Sequence, residues 1–431
     1  MQARIPPSAG FQYLLFSVII LPMTKRVKVF VAMSGGVDSS VSAALLKSQG
    51  YDVVGIHMRC YNVDGCAEQD AEDARRAAET LNIPFYVFDF EQEYKDRVVK
   101  YMVDGYKKGI TPNPDVMCNK EIKFGLFFDA AMRLGADYIA TGHYVRRGYR
   151  IKNLGYRGRN KKSQNSKSYI LYSAADKTKD QSYFLWTLTQ DQLRHCLFPV
   201  GDLIKRTQVR KLAKKYGLPN AEKKDSQGIC FLGQVTLTDF LKQYIPEKRG
   251  LVLSTTGEKL GEHRGAHFFT IGQRHGLGNL IRPRRFQGDT ISPIMMRHNR
   301  EQANNFKPFY VSSKDVKKNT VTVAEGDEDE ALYRKEVELV NTNFIHPTSN
   351  FKLPTIVYAR VRYRQPVQKA RLVIGNSQLV IRKSRTTDQL PVTSYKLLFD
   401  VPIKFVAVGQ SAVIYNKFGE MLGGGIIKNT R

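Results

Sequence analysis

Three groups of residues in this chain carry side chains suited to chemistry. The first, Ser34-Gly35-Gly36-Val37-Asp38-Ser39-Ser40, follows the apolar run from Val27 to Met33. Glycines between a strand and a helix let backbone N–H groups approach a phosphate, serine hydroxyls add donors, and a helix amino terminus favours negative charge. The run lacks the G-K-[ST] ending of a Walker A loop, which argues against a P-loop kinase or GTPase. A tight strand-to-helix turn would by itself explain a Gly-Gly pair. The second group is Asn113-Pro114-Asp115-Val116-Met117-Cys118-Asn119, a turn running into a helix near residue 120, with Lys120 and Lys123 close by. A thiol near a helix amino terminus and beside cations is of the kind that supplies thiolate at neutral pH. The third is Cys230 in Gly228-Ile229-Cys230-Phe231, 112 residues downstream. Taken singly, each cysteine also fits the small buried hydrophobe that most free cysteines are. Spacing alone does not bring the two together.

The elements that must position these residues read as α/β at first. Residues 27 to 33 form a buried strand, a helix from about Val37 stops at Gly50, and Tyr51 to Met58 returns as a strand, giving a βαβ unit with the Gly turn at a strand's carboxyl end. Ala71, Ala74, Ala77, Ala78 and Leu81 fall at helical spacing, Phe85 to Phe90 is a strand, a helix near 120 to 134 ends at Gly135, and Asp137 to Tyr144 is a strand. This alternation predicts a parallel sheet with helices on its faces. Residues 146 to 168 read as a mobile surface loop, and 181 to 217 look helical. From about 306 the chain turns into short β-rich runs, among them Thr355 to Arg364 and a hairpin from Leu372 to Ile381 about Gly375-Asn376, which predict a small carboxyl-terminal β-barrel. The acidic run Glu325 to Glu330 reads as a solvated turn. Boundaries are expected near 228 and 305, and no internal repeat is apparent.

The 431 residues carry 67 Lys plus Arg against 40 Asp plus Glu, a formal charge of +27, with 42% hydrophobic residues. Ordinary apolar content excludes a disordered or collagen-like chain, and no run of about 18 apolar residues is present to span a bilayer. The charge is uneven. Residues 1 to 145 hold 16 basic and 17 acidic side chains, whereas 146 to 168 hold nine basic and none acidic. The cationic excess therefore belongs to the middle and end of the chain and favours a polyanionic partner, nucleic acid before membrane. Five cysteines without a C-x-x-C pair fit a reducing compartment and give no support to a zinc ribbon. The first acidic residue is Asp38; the preceding segment combines Arg4, Lys25, Arg26 and Lys28 with an apolar stretch from Phe11 to Leu21. That leader is expected to be a mitochondrial targeting segment over residues 1 to 25, with a secretory signal or a plain cytosolic extension as the alternatives.

Ser-Gly-Gly-Val-Asp-Ser after an opening strand resembles the PP-loop of the ATP pyrophosphatase superfamily. The further blocks PNPDVMCNKEIKF, TGHY at 141 to 144, KDQSYFL at 179 to 185, DSQGICF at 225 to 231, Gly272 to Gly278, Arg362-Tyr363-Arg364 and the terminal LGGGII look like the tRNA-specific 2-thiouridylase family. They occur in that family's order over residues 27 to 428, and the basic leader points to its mitochondrial branch. The resemblance implies a PP-loop catalytic domain over 26 to 228, a small central tRNA-binding domain over 229 to 305 and a β-barrel over 306 to 431. It assigns Ala32, Met33, Ser34, Gly35, Gly36, Val37, Asp38, Ser39, Met58 and Gly142 to ATP. Asn113, Pro114 and Asp115 would hold the target base, with Asp115 catalytic beside the nucleophile Cys118, and Cys230 would carry sulfur as a persulfide. Lys179, Asp180, Gln181, Arg362 and Tyr363 match tRNA-contacting positions. Two segments depart from the pattern, the basic insert 146 to 168 and the stretch 279 to 300.

The activity so implied is ATP-dependent 2-thiolation of the tRNA wobble uridine, with Mg²⁺ accompanying ATP, no resident metal site, and sulfur supplied by a donor protein. Mitochondrial tRNAs for Lys, Glu and Gln are the expected substrates, in the matrix, with the cytoplasm as runner-up. Two other classes stand beside it. An amide-forming PP-loop ligase needs neither paired cysteines nor a basic barrel, and a non-catalytic RNA-binding protein needs no phosphate loop. A nucleobase deaminase is excluded, because H-x-E with P-C-x-x-C is missing.

Overall fold

The computed structural model describes residues 26–61, 63, 66–152, 166–225, 231–233, 235–277, 307–345, 353–375 and 394–431. β1 (Lys28–Ala32) is apolar from Val29 to Ala32, with β-branched Val29 and Val31, and those four residues are buried accordingly. It feeds α1 (Val37–Ser48), then come β2 (Asp52–Arg59), α2 (Cys66–Thr80) and β3 (Phe85–Asp89). A helical layer follows, with α3 (Glu91–Tyr94) and α4 (Lys100–Lys107) joined through a π-helical turn. Next, α5 (Pro114–Cys118), a π-helical stretch (Asn119–Leu126) and α6 (Phe127–Arg133) run on as one helix. That helix starts six residues earlier than expected, because Asn113 caps it, accepting a hydrogen bond at Oδ1 from the Val116 N–H at 3.1 Å, and Pro114 takes the first helical position, where no N–H is needed.

After β4 (Tyr138–Thr141) the chain forms β5 (Val145–Lys152) and β6 (Ser166–Ser173), then α7 (Gln190–Arg194) and β7 (Cys196–Leu197). β1 pairs in parallel with β2 and β4, β2 with β3, and β4 with β7, giving the order β3-β2-β1-β4-β7. Where it is described, at 146 to 152 and 166 to 168, the expected loop is instead strand, in a hairpin registered from Val145 opposite Ser173 to Lys152 opposite Ser166; residues 153 to 165 lie outside the described part. Cross-strand pairs explain the difference: the Arg147 guanidinium sits 4.9 Å from the Tyr169 ring centre and the Lys167 ammonium 5.1 Å from that of Tyr149. The expected helix over 181 to 217 is also corrected. It is broken into a 3₁₀ turn (Ser182–Leu185), α7, β7, a π-helical turn (Lys205–Val209) and α8 (Arg210–Lys215), with Pro199 and Gly201 between the pieces.

α9 (Leu237–Lys242) precedes a four-stranded sheet of β8 (Gly250–Ser254), β9 (Lys259–His263), β10 (Phe309–Asp315) and β11 (Thr320–Glu325), in the order β10-β11-β8-β9. This sheet draws strands from both sides of residue 305. The remaining strands are β12 (Tyr333–Phe344), β13 (Thr355–Arg360), β14 (Gln368–Ile374), β15 (Tyr395–Lys404), β16 (Ser411–Tyr415) and β17 (Glu420–Thr430). Their order β12-β15-β14-β13-β16-β17 closes through β12 against β17 into a six-stranded antiparallel barrel, which β6 and β5 extend from β17. β14 pairs with β15, Leu372 opposite Leu397; the return strand expected to reach Ile381 lies outside the described residues. The barrel is fastened to the α/β part through the turn at 182 to 186. Tyr183 donates to the Ser411 carbonyl at 2.8 Å, Trp186 Nε1 donates to Ser411 Oγ at 3.0 Å, and the Ser182 and Tyr415 hydroxyls are 2.9 Å apart.

Candidate active site

In the order β3-β2-β1-β4, strand succession reverses between β1 and β4, and a crevice at the carboxyl ends of such strands is where open α/β sheets bind ligands. The loop 34 to 40 fills the β1 side of that crevice. Gly35 has φ +73°, and a Cβ there would lie 2.3 Å from the Asp70 carbonyl oxygen, so only glycine fits. Gly142 closes the β4 side, where a Cβ would stand 2.7 Å from the Ser39 nitrogen. Ala32, Met33, Val37 and Ser39 are buried and fix the loop from beneath, Ser34 is exposed, and Met58, at the end of β2, packs against the neighbouring core. The loop is braced from within, as Ser39 and Ser40 each donate to the Gly36 carbonyl at 3.1 Å. Asn220 braces it from outside, with Nδ2 donating to the Gly35 carbonyl and to Ser40 Oγ, both at 2.9 Å. The amino-terminal turn of α1, with no side chain in the way at Gly35 or Gly36, suits a nucleotide's phosphates.

A charged network surrounds that turn. Asp38 accepts at one oxygen from the Tyr144 hydroxyl at 2.7 Å and at the other from the Lys205 ammonium at 2.7 Å. Lys205 also reaches Asp225 at 2.7 Å, and Asp225 is further held by Lys179 at 2.6 Å and Arg210 at 3.1 Å. Burial pushes the Asp225 carboxyl up, but the bonds from Lys179 and Lys205 more than offset this and hold it at about 2. Burial and the adjacent Asp38 charge both raise the Tyr144 phenol, which stays protonated as a donor.

The second half of the site is desolvated. Cys118 is buried at the end of α5, one turn inside the Asn113 cap. Asp115 keeps part of its surface open but is mostly ringed by protein, and burial pushes its carboxyl up to about 6 against the pull of Lys123. His143 is buried, donating or accepting at Nδ1 with Thr141 Oγ1 at 2.8 Å, and burial, then the Lys123 charge, pushes it well below the usual range, so the imidazole is neutral. The two halves meet here, because Gly142 abuts Ser39 while the next residue, His143, lies 6.0 Å ring to ring from Phe124 on the Cys118 helix. Cys230 lies outside the described residues, but both of its flanks are placed. Asp225 sits in the charged network, and Phe231 is buried in the core cluster that contains Cys118, with its carbonyl accepting from the Val63 N–H at 3.2 Å.

The segments around Lys179 and Arg362 converge on an open groove of about 570 Å³, lined by Lys177, Thr178, Lys179, Arg360, Arg364 and Gln365 among others. Of the expected contact residues, Lys179 and Asp180 line it, Gln181, Arg362 and Tyr363 do not, and they differ in availability. Asp180 is buried: it accepts from the Ala174 and Ser182 N–H groups at 3.1 and 3.2 Å and pairs with Arg360 at 3.1 Å. Gln181 Oε1 accepts from the Tyr144 N–H at 2.9 Å, which ties the groove to the end of β4. Tyr363 lies 4.5 Å ring to ring from Phe184, and Arg362 is largely enclosed near Gly272, so the pair belongs to a packed turn and not to an exposed strand face. Asn113 and Pro114 are buried under the barrel, whose Gln410 donates to the Thr111 and Pro112 carbonyls at 3.0 Å. Sequence reasoning passed over Lys205, Arg210, Asn220 and Tyr144. Lys205, Arg210 and Asn220 lie in a stretch whose composition signals only helix and turn, though Asp225, their partner, heads the DSQGICF block.

Residues 27–234 match the family model described as tRNA methyl transferase HUP domain, and residues 238–287 that described as tRNA methyl transferase PRC-barrel domain. The chain is 40% identical over 410 residues to a tRNA-specific 2-thiouridylase MnmA of Akkermansia muciniphila, covering 93% of this chain and 99% of that relative. It is 40% identical over 408 residues to the tRNA-specific 2-thiouridylase MnmA of Geobacillus thermodenitrificans, covering 93% and 94%. Against tRNA-specific 2-thiouridylase MnmA 2 of Aliarcobacter butzleri it is 38% identical over 411 residues, covering 94% and 99%.

Proposed function

As this chain belongs to the family of tRNA-specific 2-thiouridylases, we propose that it is a tRNA-uridine 2-sulfurtransferase that uses ATP to replace the 2-oxygen of the wobble uridine by sulfur. The observation that carries this reading is the juxtaposition, through Gly142 and His143, of a phosphate-accepting helix terminus with a desolvated Asp115–Cys118 pair. The methyl transferase wording of the domain descriptions suits the site less well. A methyl donor with a sulfonium cation brings no phosphate for the α1 terminus to hold.

A uracil oxygen leaves poorly until it is derivatised. The uridine O2 attacks the α-phosphorus of ATP, the bond to pyrophosphate breaks, and the N3 proton passes to a carboxylate oxygen of Asp115. The loop 34 to 40 holds the phosphates, and Mg²⁺ is proposed to arrive with them and screen their charge. The terminal sulfur of a persulfide on Cys230, loaded by a donor protein, attacks C2 and AMP departs. The Cys118 thiolate then attacks the Cys230 sulfur, leaving a Cys118–Cys230 disulfide for a reductant and a thiocarbonyl whose N3 is reprotonated by Asp115. Asn113 and Pro114, packed under the barrel, form the floor for a base extruded from the anticodon loop, Lys179 lines the groove, and Gln181, Arg362 and Tyr363 support its walls from behind.

We further propose mitochondrial tRNAs for Lys, Glu and Gln as the substrates and the matrix as the compartment, a reading supported by the basic, acid-free composition of the first 25 residues. Nucleoside mass spectrometry of mitochondrial and cytosolic tRNA from cells lacking the protein tests this: 2-thiouridine should vanish only from the mitochondrial pool, and loss from the cytosolic pool would refute the compartment. Cys118→Ser and Cys230→Ser should each abolish thiolation with tRNA binding intact; a thiolating mutant of either kind removes the mechanism.

A further inference from the structure

The segment from Lys205 to Asp225 touches the phosphate loop at two points, through Lys205 on Asp38 and Asn220 on Gly35 and Ser40, and its last residue, Asp225, pairs with Lys205. Lys205 is fixed at both ends. Its backbone N–H donates to Asp176 Oδ2 at 3.0 Å, and its ammonium, on a side chain only 9% exposed, lies between the carboxylates of Asp38 and Asp225. Asp38 is the second residue of α1, so this ammonium stands beside the first turn of that helix. Three cations, Lys179, Lys205 and Arg210, converge on the single carboxylate of Asp225, with only two oxygens to share among them. A group with more anionic oxygens would satisfy that arrangement better.

We propose that Lys205, flanked by Lys179 and Arg210, is the cationic seat for the pyrophosphate half of ATP, and that Asp225 competes with phosphate oxygens for these three side chains. Lys205 is thus a substrate-binding residue that distinguishes the triphosphate from AMP, and its charge stabilises pyrophosphate as that group separates from the α-phosphorus. The inference rests on the ATP reading above. It also separates the two carboxylates by role, Asp38 orienting the ammonium and Asp225 tuning its affinity.

Calorimetric titration of the full chain with ATP, AMP and inorganic pyrophosphate tests it. Lys205→Gln should weaken ATP and pyrophosphate by about 10- to 100-fold, as loss of a charge-assisted bond would, and AMP by less than about threefold on the same scale. Asp225→Asn should strengthen pyrophosphate by about three- to tenfold, because a competing anion is removed. An equal loss for all three ligands in Lys205→Gln would mark a merely structural lysine, and an unchanged or weakened pyrophosphate affinity in Asp225→Asn would overturn the competition even if Lys205→Gln fails to fold. Wild-type protein that binds neither ATP nor pyrophosphate would instead refute the ATP reading itself.

Discussion

Asp225 and Asp115 carry the same functional group in the two halves of one site, and their surroundings drive them apart. Asp225 is held at about 2 by Lys179 and Lys205 despite partial burial. Asp115, with only Lys123 acting against burial, is pushed up to about 6. The phosphate half is therefore a region of fixed charge, suited to holding anions and indifferent to pH near neutrality. The thiol half is desolvated and poised to exchange a proton there, with a neutral His143 beside it. Environment alone thus makes one carboxylate a permanent counter-ion of the phosphate half and leaves the other to exchange a proton.

The largest test of that division is Asp115→Asn. Thiolation should fall by at least about 100-fold, the usual contribution of a positioned acid–base group, while ATP affinity stays at the wild-type value. In the wild type the basic form of Asp115 exists above about 6, so the single-turnover rate should drop as pH falls through about 6. A rate independent of pH between 5 and 7 would remove Asp115 from proton transfer.

Next in size is Asp180, which sits in the contact block with Lys179 and Gln181 yet is buried against Arg360. Asp180→Ala should destabilise the fold by about 3 kcal/mol, because it leaves a guanidinium buried without its partner. Normal stability with selectively weakened tRNA binding would make Asp180 a direct contact.

A smaller effect of opposite sign belongs to Asp115. Its carboxyl is raised in the folded protein, so the folded state binds the proton more tightly and the residue opposes folding once it ionises. That cost is absent below the unfolded value of 3.8 and complete above about 6. Asp115→Asn should therefore stabilise the protein at pH 8 by up to about 3 kcal/mol, less where solvent reaches the carboxyl, and by nothing at pH 3.5. Equal unfolding midpoints for mutant and wild type at pH 8 would show that the carboxyl is solvated.

These contrasts also mark what was legible in the sequence. The loop 34 to 40 and strands 28 to 32, 52 to 59 and 85 to 89 were legible because local patterns specify them: an apolar run, a Gly-Gly turn and helical periodicity. The helix start at Pro114 was missed because its cap, Asn113, is a single residue within a turn signal. The strand character of 146 to 152 and 166 to 168 is not legible, because polar composition conceals cross-strand pairs that exist only once the strands register. Lys205 was invisible, since its importance arises from Asp38, 167 residues away. The blocks at 179 to 185 and 362 to 364 could be matched to a family, but only the fold distinguishes the committed Asp180 from the open Lys177 and Arg364.

That last distinction yields the smallest and most specific prediction. Lys177 and Arg364 are exposed on the groove wall, and no ion pair to either is seen among the described residues. If they meet the anticodon-loop backbone, each contributes one phosphate contact. Lys177→Gln and Arg364→Gln should then each weaken tRNA binding modestly and reduce the slope of log affinity against log salt by about 0.7, the value for one contact on a single strand. Their effects should add in the double mutant, since each acts on its own phosphate. ATP affinity should not move, because the charged network around Lys205 includes neither residue. A salt slope unchanged in the double mutant would place the RNA elsewhere, with the β5–β6 hairpin as the next basic surface to test.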